Sequence, residues 1–248
     1  MADFAGILMP SDGSEPPVVV GGHAVSLWCL YFLSKGTSEL ARFLPFTSKD
    51  LDLVGTVDLL ERLHRELKGN LLLSPPRSPV LGRLETLRGD GGTLRIEVLH
   101  TVNGLNPKEL HRAVVLRAGE IAGRVLLPHL VLKANIENTV SIEQDGRNDV
   151  KHVSMMIVCL RRFLAGLIEQ VADMEMNART VVNLLGEVWE VVNSPRAVKA
   201  SDLWGFDFSA VWPVDDLKCC ADGKITRWVE HRLSHREPNP PRQPPTNP

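Results

Sequence analysis

Asp50-Leu51-Asp52-Leu53-Val54-Gly55, with Val18-Val19-Val20-Gly21-Gly22 upstream of it, is the stretch on which the reading of this chain turns. Strict alternation in the later segment predicts a strand with Leu51 and Leu53 on one face and both aspartates on the other. The earlier segment is a β-branched run that reads as a short buried strand, closing on a tight turn at Gly21-Gly22. A helix is expected between them, because Ala24, Val25, Leu27, Trp28, Leu30, Tyr31 and Phe32 fill a helical period and Gly36 is a natural stop. After Gly55, Thr56 is placed to cap a second helix over VDLLERLHRELK, with Leu59, Leu60, Leu63 and Leu67 on its apolar side.

Further along, VLGRLETLR and TLRIEVLHTV flank Arg88-Gly-Asp-Gly-Gly92, which signals an antiparallel hairpin. In its second strand Leu94, Ile96 and Val98 share one face, and Arg95, Glu97 and Leu99 the other. AVVLRA and GRVLLP predict another pair of short strands, ending at Pro128. From there the pattern becomes helical: PHLVLKANIEN, NDVKHVSMMIVCLRRFLAGLIEQV and ARTVVNLLGEVWEVVNS. These patterns predict an α+β fold, a small mixed sheet flanked by helices and followed by a helical C-terminal region. The expected organisation is a catalytic domain over 15–127, the helical region over 128–212, where periodicity fades, and a proline-rich disordered tail over 236–248.

The 248 residues are 44% hydrophobic and 23% charged with a net charge of -2, which excludes bulk disorder and a strongly basic nucleic-acid coat. The N-terminus lacks a basic start followed by an apolar run, and HAVSLWCLYFL is too short to cross a bilayer, so a soluble cytoplasmic protein with no membrane association is expected. Cys29 and Cys159 fall inside apolar helical patterns, while Cys219 and Cys220 are adjacent. No C-x-x-C occurs, and the thiols read as buried or incidental.

Two aspartates one residue apart on a strand project from the same face, which suits one or two Mg²⁺ or Mn²⁺ ions. Magnesium takes hard oxygen ligands, keeps several waters and is commonly bound by a few carboxylates plus substrate phosphates. Two such ions can polarise an α-phosphate and stabilise departing pyrophosphate. Gly21 and Gly22, ahead of a helix, offer backbone N–H groups and the positive end of a dipole to a triphosphate, or else form a structural turn. Glu97 either turns inward as a third metal ligand or lies at the solvent beside Arg95 and Glu85.

The G-G turn, the helix and the acidic D-x-D strand together resemble the polymerase-β nucleotidyltransferase superfamily. GGHAVSLWCLYF followed by PFTSKDLDLVG looks most like its abortive-infection type, which includes nucleotidyltransferase toxins of toxin-antitoxin systems. The resemblance runs from about Val18 to about Arg162. It implies Asp50, Asp52 and Glu97 as metal ligands, Glu97 standing where many relatives have aspartate. It implies Gly21, Gly22, Thr47 and Ser48 as nucleotide-binding residues. It further implies that Lys133, in PHLVLKANIEN, contacts nucleotide phosphates, and that Asp149, in GRNDVKHVSMM, orients Lys133 or an attacking group; Arg147 and His152 line the same mouth, or else His152, a lone histidine beside a helix start, is structural. Between Gly22 and Asp50 the chain is longer than the compact superfamily pattern, through SKGTSELARFLPF.

The activity implied is transfer of a nucleotide from an NTP, such as ATP, to a hydroxyl of tRNA or of a protein, with an antitoxin as a further partner. Residues 105 to 165 hold nine Lys or Arg against six acids, a mild excess that a solvated face explains as well as an RNA surface does. The rival reading is a non-catalytic nucleotide-binding or antitoxin-like module of the same fold.

Overall fold

A computed structural model describes residues 5–9, 15–46, 48, 50–87 and 91–233. The expectations for Thr47, for the centre of the hairpin turn and for the 236–248 tail lie outside the described residues. Among these residues seven strands form one mixed sheet: β1 (Val18–Val20), β2 (Leu51–Val54), β3 (Asn70–Leu73), β4 (Val80–Leu87), β5 (Thr93–Leu99), β6 (Ala113–Ala118) and β7 (Ile121–Leu126), in the order β3-β4-β5-β2-β1-β7-β6. The three outer pairings β3–β4, β4–β5 and β6–β7 are antiparallel, as is β1–β2, whereas β2–β5 and β1–β7 run parallel. The α+β architecture read from the sequence is therefore present, with its hairpin strands paired as expected.

Alternation is obeyed where it places the acids. Leu51, Leu53, Ile96 and Val98 are fully excluded from solvent, while Asp52, Arg95 and Glu97 are half-buried on the opposite side. β1 lies in the middle of the sheet and is buried at all three positions, which is why its sequence shows no alternation. β3 carries no sequence signal: Asn70–Leu73 is an edge strand with Leu72 and Leu73 exposed, and its apolar residues follow no period.

The helices begin with a single turn, α1 (Ala5–Leu8), which puts Ile7 and Leu8 into the core. α2 (Gly21–Ser34) starts at Gly21, so the two glycines are its first residues and not a turn ahead of it. α3 (Val57–Leu67) begins after Thr56, which holds the N-cap position without a capping side-chain bond. SKGTSELARFLPF contains a 3₁₀ turn, Ser38–Phe43, that buries Leu40 and ties Glu39 to Arg161.

α4 (Pro128–Ser141), α5 (Asp149–Ala172), α6 (Ala178–Val192) and α7 (Pro195–Trp204) make the helical region. It continues past Trp212 as α8 (Val214–Cys219) and α9 (Gly223–Arg232), where the fading periodicity predicts an end. Six and ten residues are too few to display a period clearly. Asp222 caps α9, and Leu217 and Ile225 anchor the two helices. Trp212 packs with Trp189 and Trp228, ring centroids 6.1 and 5.2 Å apart.

One continuous core joins sheet and helices. Its centre is α2 against α5: Trp28 meets Phe163 edge-on, its indole N–H donates to the Leu126 carbonyl at 2.9 Å, and the buried Cys29 and Cys159 thiols lie 3.6 Å apart. Among the described residues no helix is long and apolar enough to cross a membrane.

Candidate active site

The polar side of β2, β5 and β4 carries two cross-strand rows of charge. In the first, Asp52 is in register with Glu97, and Glu97 with Arg83. In the second, Arg95 is in register with Glu85. Its Nε donates to Glu85 Oε1 at 3.0 Å and its Nη1 to Asp50 Oδ1 at 3.3 Å. The second row alternates in sign, with Arg95 standing between its two acids. The first does not: two carboxylates stand on neighbouring strands at matched positions, an arrangement that destabilises a sheet. Glu97 Oε1 takes Arg83 Nε at 2.8 Å and also Arg83 Nη2, which leaves Asp52 as the acid lacking a cation of its own in the row.

The glycines are pressed against this acid. Gly21 has φ +59°, and a Cβ there would fall 2.1 Å from Asp52 Oδ2. No other residue could hold this conformation and leave room for the carboxylate. A Cβ on Gly22 would fall 2.7 Å from Ser48 Oγ and 3.0 Å from His152 Cε1. Ser48 donates to the Asp50 carbonyl at 3.2 Å. That carbonyl also accepts from His23 Nδ1 at 2.9 Å, which fixes the His23 tautomer, and burial holds this imidazole below its ordinary pKa. Val20 holds the N-cap of α2 without a capping side-chain bond, and the first residues of this 14-residue helix lie beside Asp52 and Ser48.

Burial pushes the Asp52 carboxyl up to about 7, with the charges of Glu97, Asp50 and Asp149 adding to the rise and Arg147 opposing it. The His152 ring beside Gly22 brings the start of α5, and with it Asp149 and Arg147, to the same end of the site. Asp149 accepts from Arg147 Nε at 2.6 Å and from Asn138 Nδ2 at 3.2 Å. His152, one turn further, is pushed down to about 4 chiefly by burial and is neutral at physiological pH.

Gly21, Gly22, Ser48, Asp50, Asp52, Glu97 and Asp149 are therefore brought together. Lys133 is not among them. Its ammonium pairs with Glu109, 2.8 and 3.0 Å from the two carboxylate oxygens, and the Lys133–Asp149 contact implied by the resemblance is absent. Asn138 is the α4 residue that reaches Asp149. Lys133 lies five positions earlier, roughly 140° around the helix, and faces elsewhere.

Arg83 is the residue that the sequence reading missed. Its signal was available: about the hairpin midpoint, Arg83 mirrors Glu97 just as Glu85 mirrors Arg95.

The donor set of Asp50, Asp52 and Glu97 is all oxygen and carries an uncompensated negative charge against a glycine cradle, which fits a hard divalent cation in residue type. As the side chains stand, no group of three His, Cys, Asp or Glu among the described residues is gathered closely enough to hold one. Asp50 and Glu97 reach instead to Arg95 and Arg83.

No family model matches the chain, and no curated protein matches it in sequence. Among solved structures, an antigenic nucleotidyltransferase-like protein from Paracoccidioides brasiliensis superposes with a TM-score of 0.37 at 14% identity, over 57% of this chain and 66% of that one. So slight a likeness carries no argument, and the functional reading rests on the geometry above.

Proposed function

We propose that this chain is a metal-dependent nucleotidyltransferase that moves a nucleotide from an NTP to a hydroxyl acceptor. The observation that carries the reading is the in-register pairing of Asp52 with Glu97 against Gly21, a like-charge pairing with no structural benefit at the N-terminus of a helix. A cost of that kind is what functional sites retain.

Asp50, Asp52 and Glu97 would hold Mg²⁺ or Mn²⁺, which when bound polarises the α-phosphate and stabilises the leaving pyrophosphate. The chain's own part is positioning. Amides of Gly21 and Gly22 with Ser48 Oγ seat the triphosphate at the start of α2. Arg147 offers a cation at the same mouth, held by Asp149. The acceptor hydroxyl attacks in line, forming the new O–P bond as the bond to pyrophosphate breaks, and its proton passes to a carboxylate of the trio. By resemblance the acceptor is tRNA or a protein, the setting is cytoplasmic, and the role is that of a toxin held in check by an antitoxin.

Incubation with each α-labelled NTP, Mg²⁺, total RNA and lysate tests this directly. Label should enter one macromolecular class and vanish in Asp52→Ala; labelling that persists in that variant sinks the assignment.

One observation favours a second reading, a nucleotide-binding module without turnover: arginines sit on Glu97 and Asp50 where a catalytic site places a cation. Arg83→Gln separates the two. In the enzyme, freeing Glu97 from its guanidinium should tighten Mn²⁺ binding about tenfold by calorimetry, since one opposing charge is removed. A binding module should show no Mn²⁺ heat in either form.

A further inference from the structure

A second cleft, of about 490 Å³, lies between α4, α6 and the loop before β6. That volume is within the range of small-molecule sites. At its floor is His129, only 1% exposed, which carries two ring nitrogens without a hydrogen-bond partner. Nε2 stands 3.2 Å from Glu187 Oε2 but out of line for a bond, and that carboxylate oxygen is likewise unsatisfied although Arg112 Nη1 is 2.7 Å away. Buried polar groups of this kind are ordinarily paired. His129 and Lys133 are four residues apart and share one face of α4, so the lysine that turns away from the acidic site turns into this cleft.

The charges around His129 limit what the cleft can take. Arg112 pairs with Glu187 and Lys133 with Glu109, and Lys108 and Glu190 add one more of each sign, so the lining sums to zero. A lone anion would meet the three glutamates, and a lone cation the guanidinium and two ammonium groups. A metal ion would need Glu187 and Glu109 yet give nothing to the Arg112 and Lys133 it displaced from them, whereas a ligand bearing both charges offers each partner a replacement. Among the described residues no aromatic ring lines the walls to stack a nucleobase. Burial lowers the His129 pKa to about 3, so the imidazole is neutral and presents one donor and one acceptor.

We infer that this cleft is a binding site for a small zwitterion of the α-amino-acid class, its carboxylate on Arg112 and Lys133, its ammonium on Glu187 and Glu190, and His129 bonded between them. Such a ligand meets unlike charge at each end and keeps the cleft neutral. The inference is independent of the transfer reaction proposed above.

Ligand-observed NMR on the full chain tests it, with a panel of free L-amino acids set against their N-acetyl amides, inorganic phosphate and putrescine as probes. At least one free amino acid should bind at millimolar concentration or tighter, and its blocked analogue at least tenfold more weakly. Arg112→Gln and the exposed Glu190→Gln should each weaken that binding at least tenfold while leaving the thermal midpoint unchanged, and His129→Phe should abolish it. If no free amino acid outbinds its blocked form, if phosphate or putrescine binds as tightly, or if binding survives Arg112→Gln, the inference is overturned.

Discussion

Asp52→Asn should abolish nucleotidyl transfer and, in the same molecule, stabilise the fold above pH 7. The two effects come from one cause. Asp52 is forced to carry charge in a half-buried position beside Glu97, and its carboxyl stands at about 7 where an ordinary aspartate titrates near 3.8.

The sign of the pH dependence follows from proton uptake. Between pH 4 and 7 the native protein holds the Asp52 proton and the unfolded chain has lost it, so stability falls as pH rises through that window and levels off above it. Three pKa units correspond to a penalty on the order of 4 kcal/mol for the ionised form. Asparagine removes the penalty while keeping the shape. Urea denaturation from pH 4 to 8 should therefore show the variant gaining on the wild type by a few kcal/mol across the window, then holding that lead. Transfer activity should fall at least about 100-fold, the loss typical when a group that stabilises developing charge is removed. An Asp52→Asn variant that is active, or no more stable at pH 8 than at pH 4 relative to wild type, would remove the basis for the site.

Gly21→Ala is the second large effect, and it acts through geometry. The left-handed backbone at φ +59° costs an L-residue roughly 1–2 kcal/mol. The added methyl would also lie 2.1 Å from Asp52 Oδ2, closer than atoms can approach, so either the carboxylate or the first turn of α2 must move. The expected outcome is a loss of about 2–3 kcal/mol in denaturant titration, together with loss of nucleotide binding measured by calorimetry. Gly22→Ala makes a useful contrast. Its methyl meets the Ser48 hydroxyl and the His152 ring, side-chain atoms that can yield. It should lose nucleotide affinity with a smaller loss of stability. Gly21→Ala behaving as mildly as Gly22→Ala would mean that the glycine does not shape the carboxylate's surroundings.

Much of this was visible in the chain before any coordinates. Period-two alternation in Asp50–Val54 and Thr93–Leu99 separates acids from core leucines, isoleucine and valine, and burial follows it residue by residue. What the pattern could not reveal is the neighbour of each strand. Asp52 beside Glu97 requires β2 and β5 to run parallel in one particular register, and nothing local to either segment specifies that. Lys133 illustrates the other limit: its helix was readable, but which side of α4 faces the acids depends on how α4 packs.

Sequence alone determined which residues alternate, where the glycines must sit and which acids share a strand face, because backbone sterics and the hydrophobic effect act over a few neighbouring residues. Only tertiary structure decided that Arg83 clasps Glu97, that Asp149 rather than Lys133 joins the acidic group, and that His129 is sealed beneath a cleft of balanced charge. Those are contacts between segments distant in the chain, fixed when the sheet order and the packing of α4 on α5 settle the competition among every charge that could have paired otherwise.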